Sequence, residues 1–232
     1  MKSTASNDVM NAERDFQRAQ LYGFLSTAFL YPQETWTEDL PQLGLLAVDV
    51  DGLQELLSVG PLDLAELQGA FRRTFGLANP LCYETEFGLP HEYRQSQELA
   101  DISGFYRAFG YTTGGQIRER PDHLSVELEF MHALALKSWR AAGQDETERL
   151  EICREAQRKF LGDHLARWLG ALPQKLAQSP ARSPYPELLR FAAEYVGRDA
   201  AALGVTQDSP PSSDLTPFDL DFSCEACPVR PE

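Results

Sequence analysis

With 232 residues and a 43% hydrophobic fraction, the chain has material for one large core, which excludes a wholly disordered protein. Acidic residues outnumber basic ones 35 to 21, and the net charge of −14 speaks against the basic surface that nucleic acid requires and favours a cationic partner. No apolar run approaches the ~20 residues that cross a bilayer, Met1 to Met10 holds no signal-peptide core, and Cys82, Cys153, Cys224 and Cys227 do not form a secreted disulfide framework. The expected setting is therefore cytoplasmic, with no membrane insertion.

From Asp8, the residues Phe16, Ala19, Leu21, Tyr22, Leu25, Ala28 and Phe29 predict a helix with a broad apolar face, ended by Tyr31-Pro32 because the residue before proline avoids the helical region. Thr37 and Asp51 can each cap a short helix. Asp63 caps a further one carrying Leu64, Leu67, Ala70, Phe71 and Phe75, stopped at Gly76. Gly76 to Tyr93 lacks either periodicity and reads as a long loop that gathers Tyr83, Glu84, Glu86 and Phe87. Ser96 is expected to cap the helix of Leu99, Ile102, Phe105, Tyr106 and Phe109, with Gly110 as a left-handed stop and a Gly114-Gly115 loop beyond.

The most informative stretch is Glu119 to Trp139. Pro121 suits a first helical turn, and Asp122 beside it is expected to cap the free amides. Leu124, Leu128, Met131, Ala135 and Ser138 repeat at helical spacing, and Val126, Phe130, Leu134 and Leu136 widen the apolar surface beyond one stripe. Such a helix is central and wrapped by others. It should run to about Gly143, where Asp145 and Glu148 have the spacing of a reciprocal cap for the helix of Leu150, Cys153, Ala156 and Phe160.

Asp163 is expected to start another helix, interrupted by Pro173, and Ser183-Pro184 to open the last, with Leu188, Leu189, Ala192 and Val196. No alternating strand pattern or internal repeat is visible, so the fold class is all-α, a single globular helical domain over residues 1–203. Residues 204–232, with Pro210-Pro211, Ser212-Ser213 and several aspartates, read as an extended, flexible C-terminal tail ending in Cys224-x-x-Cys227.

Three polar groupings stand out on chemical grounds. Glu129 and His132 have the Glu-x-x-His spacing of di-iron bundles, which would make a helical metal-dependent oxidoreductase, but no second such pair exists and a polar helix face accounts for them as well. Cys224 and Cys227 can supply two thiolates to a metal, half of a zinc or iron-sulfur site, or be an exposed thiol pair. Asp122 and His123, at a helix start where the dipole holds the ring towards neutrality, make a recognition point for a cationic, hydrogen-bonding peptide. No phosphate loop, nucleophile elbow or paired-histidine zinc motif is present, so neither enzyme chemistry nor a cofactor is expected.

The run Glu119-Arg120-Pro121-Asp122-His123-Leu124, continued by Glu127-Leu128-Glu129-Phe130-Met131, resembles the signature of the TorD/DmsD/NarJ family of cytoplasmic chaperones for molybdenum-containing redox enzymes. Tyr83-Glu84-Thr85-Glu86-Phe87 and Phe105-Tyr106-Arg107-Ala108-Phe109-Gly110 resemble its other recurring segments in the same order, so that the likeness spans roughly Phe16 to Val196. Within the family the chain is most similar to the maturation subunits of type II dimethyl-sulfoxide-reductase-like enzymes, on account of its cysteine-bearing tail. The resemblance implies an all-helical domain of the TorD-like type, monomeric or homodimeric. Its implied partner is the catalytic subunit of a molybdenum-containing redox enzyme, bound through the twin-arginine leader and held back from export until the cofactor is inserted. It further implies Asp122 and His123 as peptide-binding residues, bordered by Tyr83, Glu84 and Phe87, with Glu119 leading the motif.

Overall fold

A computed structural model of the chain describes residues 2–34, 63–76, 82–87, 92–112, 119–176 and 183–205. The short helices expected after Thr37 and Asp51, the Gly114-Gly115 loop and the tail with Cys224 and Cys227 lie outside these residues. The described part is an all-helical domain: α1 (Lys2–Ala28), α2 (Leu64–Phe75), a 3-10 turn (Glu84–Phe87), α3 (Glu92–Ala108), α4 (Leu124–Gly143), α5 (Thr147–Phe160), a π-turn (Leu161–Leu165), α6 (Ala166–Leu169), α7 (Leu172–Leu176) and α8 (Tyr185–Ala202). No strand occurs among the described residues, only an isolated antiparallel bridge between Tyr83 and His123.

Helix α4 is the axis of the bundle. Leu124, Val126, Leu128, Phe130, Met131, Leu134 and Ala135 are all buried, on more than one face of the helix, against α1 on one side and α5 on the other. An apolar surface this wide is stable only when wrapped, and the helix turns a face to water only towards its C-terminal end, at Lys137, Trp139 and Arg140. Helix α1 contributes Leu21, Tyr22, Phe24, Leu25 and Ala28 to the same core. At the other end Tyr31, Phe71, Phe75 and Tyr185 meet ring to edge and join α1, α2 and α8. Phe16, expected in the apolar face, lies at the margin, where its ring meets Trp139 at 4.9 Å.

A buried polar clamp ties the long elements together. Arg18 on α1 donates from Nε and Nη2 to Asp199 of α8 at 2.6 and 2.8 Å, and from Nη1 to Asp15 at 2.9 Å. Its Nη2 also reaches Gln157 of α5 at 2.7 Å, whose amide donates to Ser138 of α4 at 2.7 Å. Burial disfavours the charge on Arg18, but the hydrogen bond and charge of Asp199 outweigh it and hold the guanidinium firmly protonated.

Several boundaries differ from the expectation. Asp145 does not open α5: its φ of +57° puts it in the left-handed region just past α4, where Glu146 N bonds back to Ala141 O at 2.9 Å, and α5 starts without a side-chain cap. Ser96 lies inside α3, which already begins at Glu92. Asp163 starts nothing either, because α5 passes directly into the π-turn, and Pro173 sits in the first turn of α7, where its missing amide is harmless. Gly110 is a left-handed stop, with φ +67° and Tyr111 N bonded to Tyr106 O at 2.8 Å. Gly76 ends α2 by a different route, in extended backbone, where a Cβ would fall 2.2 Å from the Arg72 carbonyl oxygen.

Candidate functional site

The segment before α4 and the segment around the 3-10 turn are stitched together by backbone. Glu84 N donates to Asp122 O at 2.9 Å and Leu124 N to Cys82 O at 2.8 Å, either side of the Tyr83–His123 bridge. Two stretches far apart in the chain thus form one unit. Tyr106 of α3 adds a third anchor, its hydroxyl donating to Pro121 O at 2.7 Å.

Asp122 is not the helix cap. Its carboxylate has 0% exposure and faces the other segment, accepting from Thr85 Oγ1 at 2.7 Å and from Arg120 Nε and Nη2 at 3.0 and 2.7 Å. The cap of α4 is His123, whose Nδ1 accepts from Ser125 N at 3.2 Å. That contact makes Nδ1 the acceptor and places the ring proton on Nε2. Local spacing favours an aspartate in this role, but the backbone bridge turns Asp122 towards Thr85 instead.

The expected site residues divide by exposure. Asp122, His123, Glu84 and Phe87 are buried, the last with its ring 5.1 Å from that of Trp168. Tyr83 and Glu119 are partly exposed and joined by a 3.4 Å contact from the Tyr83 hydroxyl to the Glu119 carboxylate. Arg120 lies over the Tyr83 ring at 4.5 Å and comes within 3.9 Å of Glu86. The outward edge is therefore Tyr83, Glu86, Glu119 and Arg120, built upon a buried Asp122 and His123.

His123 is neutral at ordinary pH. Burial lowers its pKa from 6.5 to about 4, with Asp122 opposing and Arg120 assisting the shift, so burial rather than the helix dipole is the leading cause. Between these values the unfolded chain binds a proton that the folded chain refuses. Stability therefore rises with pH through that window and is lost as the pH falls from 6.5 towards 4. We expect His123→Asn, which still caps but does not titrate, to flatten the pH dependence by up to ~1.4 kcal/mol per pH unit. Urea midpoints of both proteins across the window measure it; parallel curves would mean that the ring titrates normally.

Sequence reading named Glu84 but missed its partner and the pair beside it. Glu84 meets His164 Nδ1 at 3.1 Å across 80 residues, and His164 Nε2 lies 3.5 Å from Asp101. Glu127 accepts from Trp168 Nε1 at 3.0 Å, and burial, then the Glu84 carboxylate nearby, push its pKa well above the usual carboxylate value. No spacing in the chain signals these pairs, because the π-turn sets the direction of His164. Glu129 and His132 have separate partners, the Tyr111 hydroxyl at 2.7 Å and the Ala19 carbonyl at 2.7 Å. Among the described residues no group of three or more His, Cys, Asp or Glu side chains could hold a metal ion. Cys82 and Cys153 are buried free thiols whose pKa values burial pushes up, which disfavours the reactive thiolate.

An all-helical bundle whose two motif segments are pinned into one polar edge defines a class. Residues 44–173, more than half of the chain, match the family described as nitrate reductase delta subunit. The chain is 34% identical over 205 residues to the selenate reductase assembly chaperone protein of Thauera selenatis, covering 85% of this chain and 100% of that one. It is 34% identical to the chlorate reductase assembly chaperone protein of Ideonella dechloratans, over 72% of this chain and 81% of the other. With the perchlorate reductase assembly chaperone protein of Dechloromonas aromatica it shares 35% identity, over 42% of this chain and 43% of the relative's length. The chain belongs to the nitrate reductase delta subunit family, the group that takes in the TorD and NarJ type of assembly chaperone.

Proposed function

We propose that this protein is an assembly chaperone for the catalytic subunit of a molybdenum-containing oxidoreductase. It receives the twin-arginine leader of the immature enzyme in the cytoplasm, holds it there while the cofactor is inserted, and catalyses no reaction itself. The observation that carries the reading is the outward edge, where Glu119, Glu86 and the Tyr83 ring lie beside the buried Asp122 carboxylate, which accepts a fork from the Arg120 guanidinium. Arginine is the side chain that such an acid-and-aromatic edge suits. The chain's net charge of −14 favours the approach of a basic leader, and the relatives' names support the chaperone role.

Leader affinity is expected to fall with added salt, because contacts at Glu119 and Glu86 are open to solvent and screened over a Debye length of ~8 Å at physiological ionic strength. Calorimetry with a twin-arginine leader peptide, and with a copy whose arginines are glutamine, tests this at low and high salt. Equal affinity for the two peptides would remove the charge-based reading.

A further inference from the structure

We propose that Arg120 fills a slot built for a guanidinium and gives way there to an arginine of the bound partner, so that the chain carries its own stand-in for its ligand. This inference rests on the leader-binding reading above and specifies how the site opens.

The slot satisfies a guanidinium on every side that the chain can reach. Arg120 donates to both oxygens of Asp122, at 3.0 and 2.7 Å, and from Nη2 to Thr85 Oγ1 at 2.7 Å; its plane covers the Tyr83 ring at 4.5 Å, and Nη1 lies 3.9 Å from Glu86. Fork, hydroxyl and aromatic face together select arginine over lysine, whose ammonium is a point charge with neither a fork nor a flat face.

The two sides of this contact are unequal. The Asp122 side chain is 0% exposed and the Arg120 side chain 44% exposed, so the walls are interior and the occupant enters from outside. The walls also hold without it. Backbone bonds from Glu84 to Asp122 and from Leu124 to Cys82 fix the segments, and the Arg120 carbonyl accepts from His123 N at 3.0 Å whatever its side chain does. Arg18 makes the contrast, because its side chain is only 7% exposed and is tied to three partners on α1, α5 and α8.

Vacating the slot without replacement would strand a buried carboxylate, whereas replacing one guanidinium by another remakes each contact that is lost. Exchange therefore proceeds only when the partner supplies an arginine. Glu119 and Glu86, both on the same edge, can receive a neighbouring cationic residue, including a displaced Arg120.

The test uses full-length wild-type protein, Arg120→Ala and Arg120→Lys. Ethylguanidinium, compared with ethylammonium at equal ionic strength, should raise the thermal midpoint of Arg120→Ala saturably and leave the wild type unmoved. A peptide bearing Arg-Arg ahead of an apolar stretch should bind Arg120→Ala about tenfold tighter or more, as expected when a competitor that occupies the slot at least about nine-tenths of the time is removed. The same gain should be absent for a Lys-Lys version, which separates slot occupancy from the mere loss of a repelling charge. Should Arg120→Ala fail to fold, Arg120→Lys retains the charge and should still bind the Arg-Arg peptide tighter than wild type does.

No rescue by ethylguanidinium together with unchanged or weaker peptide affinity would overturn the exchange and leave Arg120 a structural tie. If rescue occurs but neither protein binds the peptide, the slot stands and the leader-binding reading falls. If the wild type binds Arg-Arg over Gln-Gln while the variants show neither rescue nor gain, the leader reading stands and the exchange falls.

Discussion

Replacing Asp199 by alanine is expected to cost about 3–5 kcal/mol of stability, because it strands the Arg18 guanidinium inside the bundle without the carboxylate that holds it. The loss reaches further than one pair. Tyr22, fully buried, donates its hydroxyl to the same carboxylate at 2.7 Å, so a second polar group loses its partner. Asp15 remains on Nη1 of Arg18 and limits the damage, but it cannot replace a fork. Urea denaturation is the measurement, and the thermal midpoint should drop on the order of 10 °C for a chain of this size. A triple change of Arg18→Met, Tyr22→Phe and Asp199→Leu should recover part of the loss, limited by the buried Asp15 and Gln157, which lose their contacts to Arg18. A cost under about 1 kcal/mol for Asp199→Ala alone would show that water reaches the arginine.

Asp122→Ala is expected to lower stability by about 3 kcal/mol and to weaken leader binding by about tenfold to a hundredfold. The stability cost comes from the fork to Arg120 and the Thr85 hydroxyl bond. It stays below the full range for a buried ion pair, since the half-exposed Arg120 can return to water. Asp122→Asn separates fold from binding. Asparagine keeps the shape and one acceptor oxygen but turns an amide towards the donors of Arg120, so the fold should lose only about 1–2 kcal/mol while the charged fork is gone. Denaturant midpoint and peptide dissociation constant measured on the same Asp122→Asn sample decide the matter. Wild-type values for both would show that the carboxylate serves neither the fold nor the partner.

The central helix was legible because its cause is local. Leu124, Leu128, Met131 and Ala135 recur at the helical period, and a surface apolar on more than one face can only be interior. The cap at Asp63, which accepts from Ala65 N at 3.0 Å, and the left-handed Gly110 follow from rules of the same short range. Asp122 broke such a rule because a contact from outside its own helix was stronger: two backbone bonds bring Thr85 to the carboxylate, and the cap passes to His123. Asp145 broke another, since closing α4 in the left-handed region left it no part in opening α5. The sequence by itself determined that this is an all-helical protein around α4 and which motif segments to examine. Only the tertiary structure decided that Asp122 faces Thr85, that Glu84 meets His164 and that Arg18 meets Asp199 across 181 residues. Periodicity and capping act within one or two helical turns, whereas these partners are chosen by how helices cross and where a π-turn redirects one side chain.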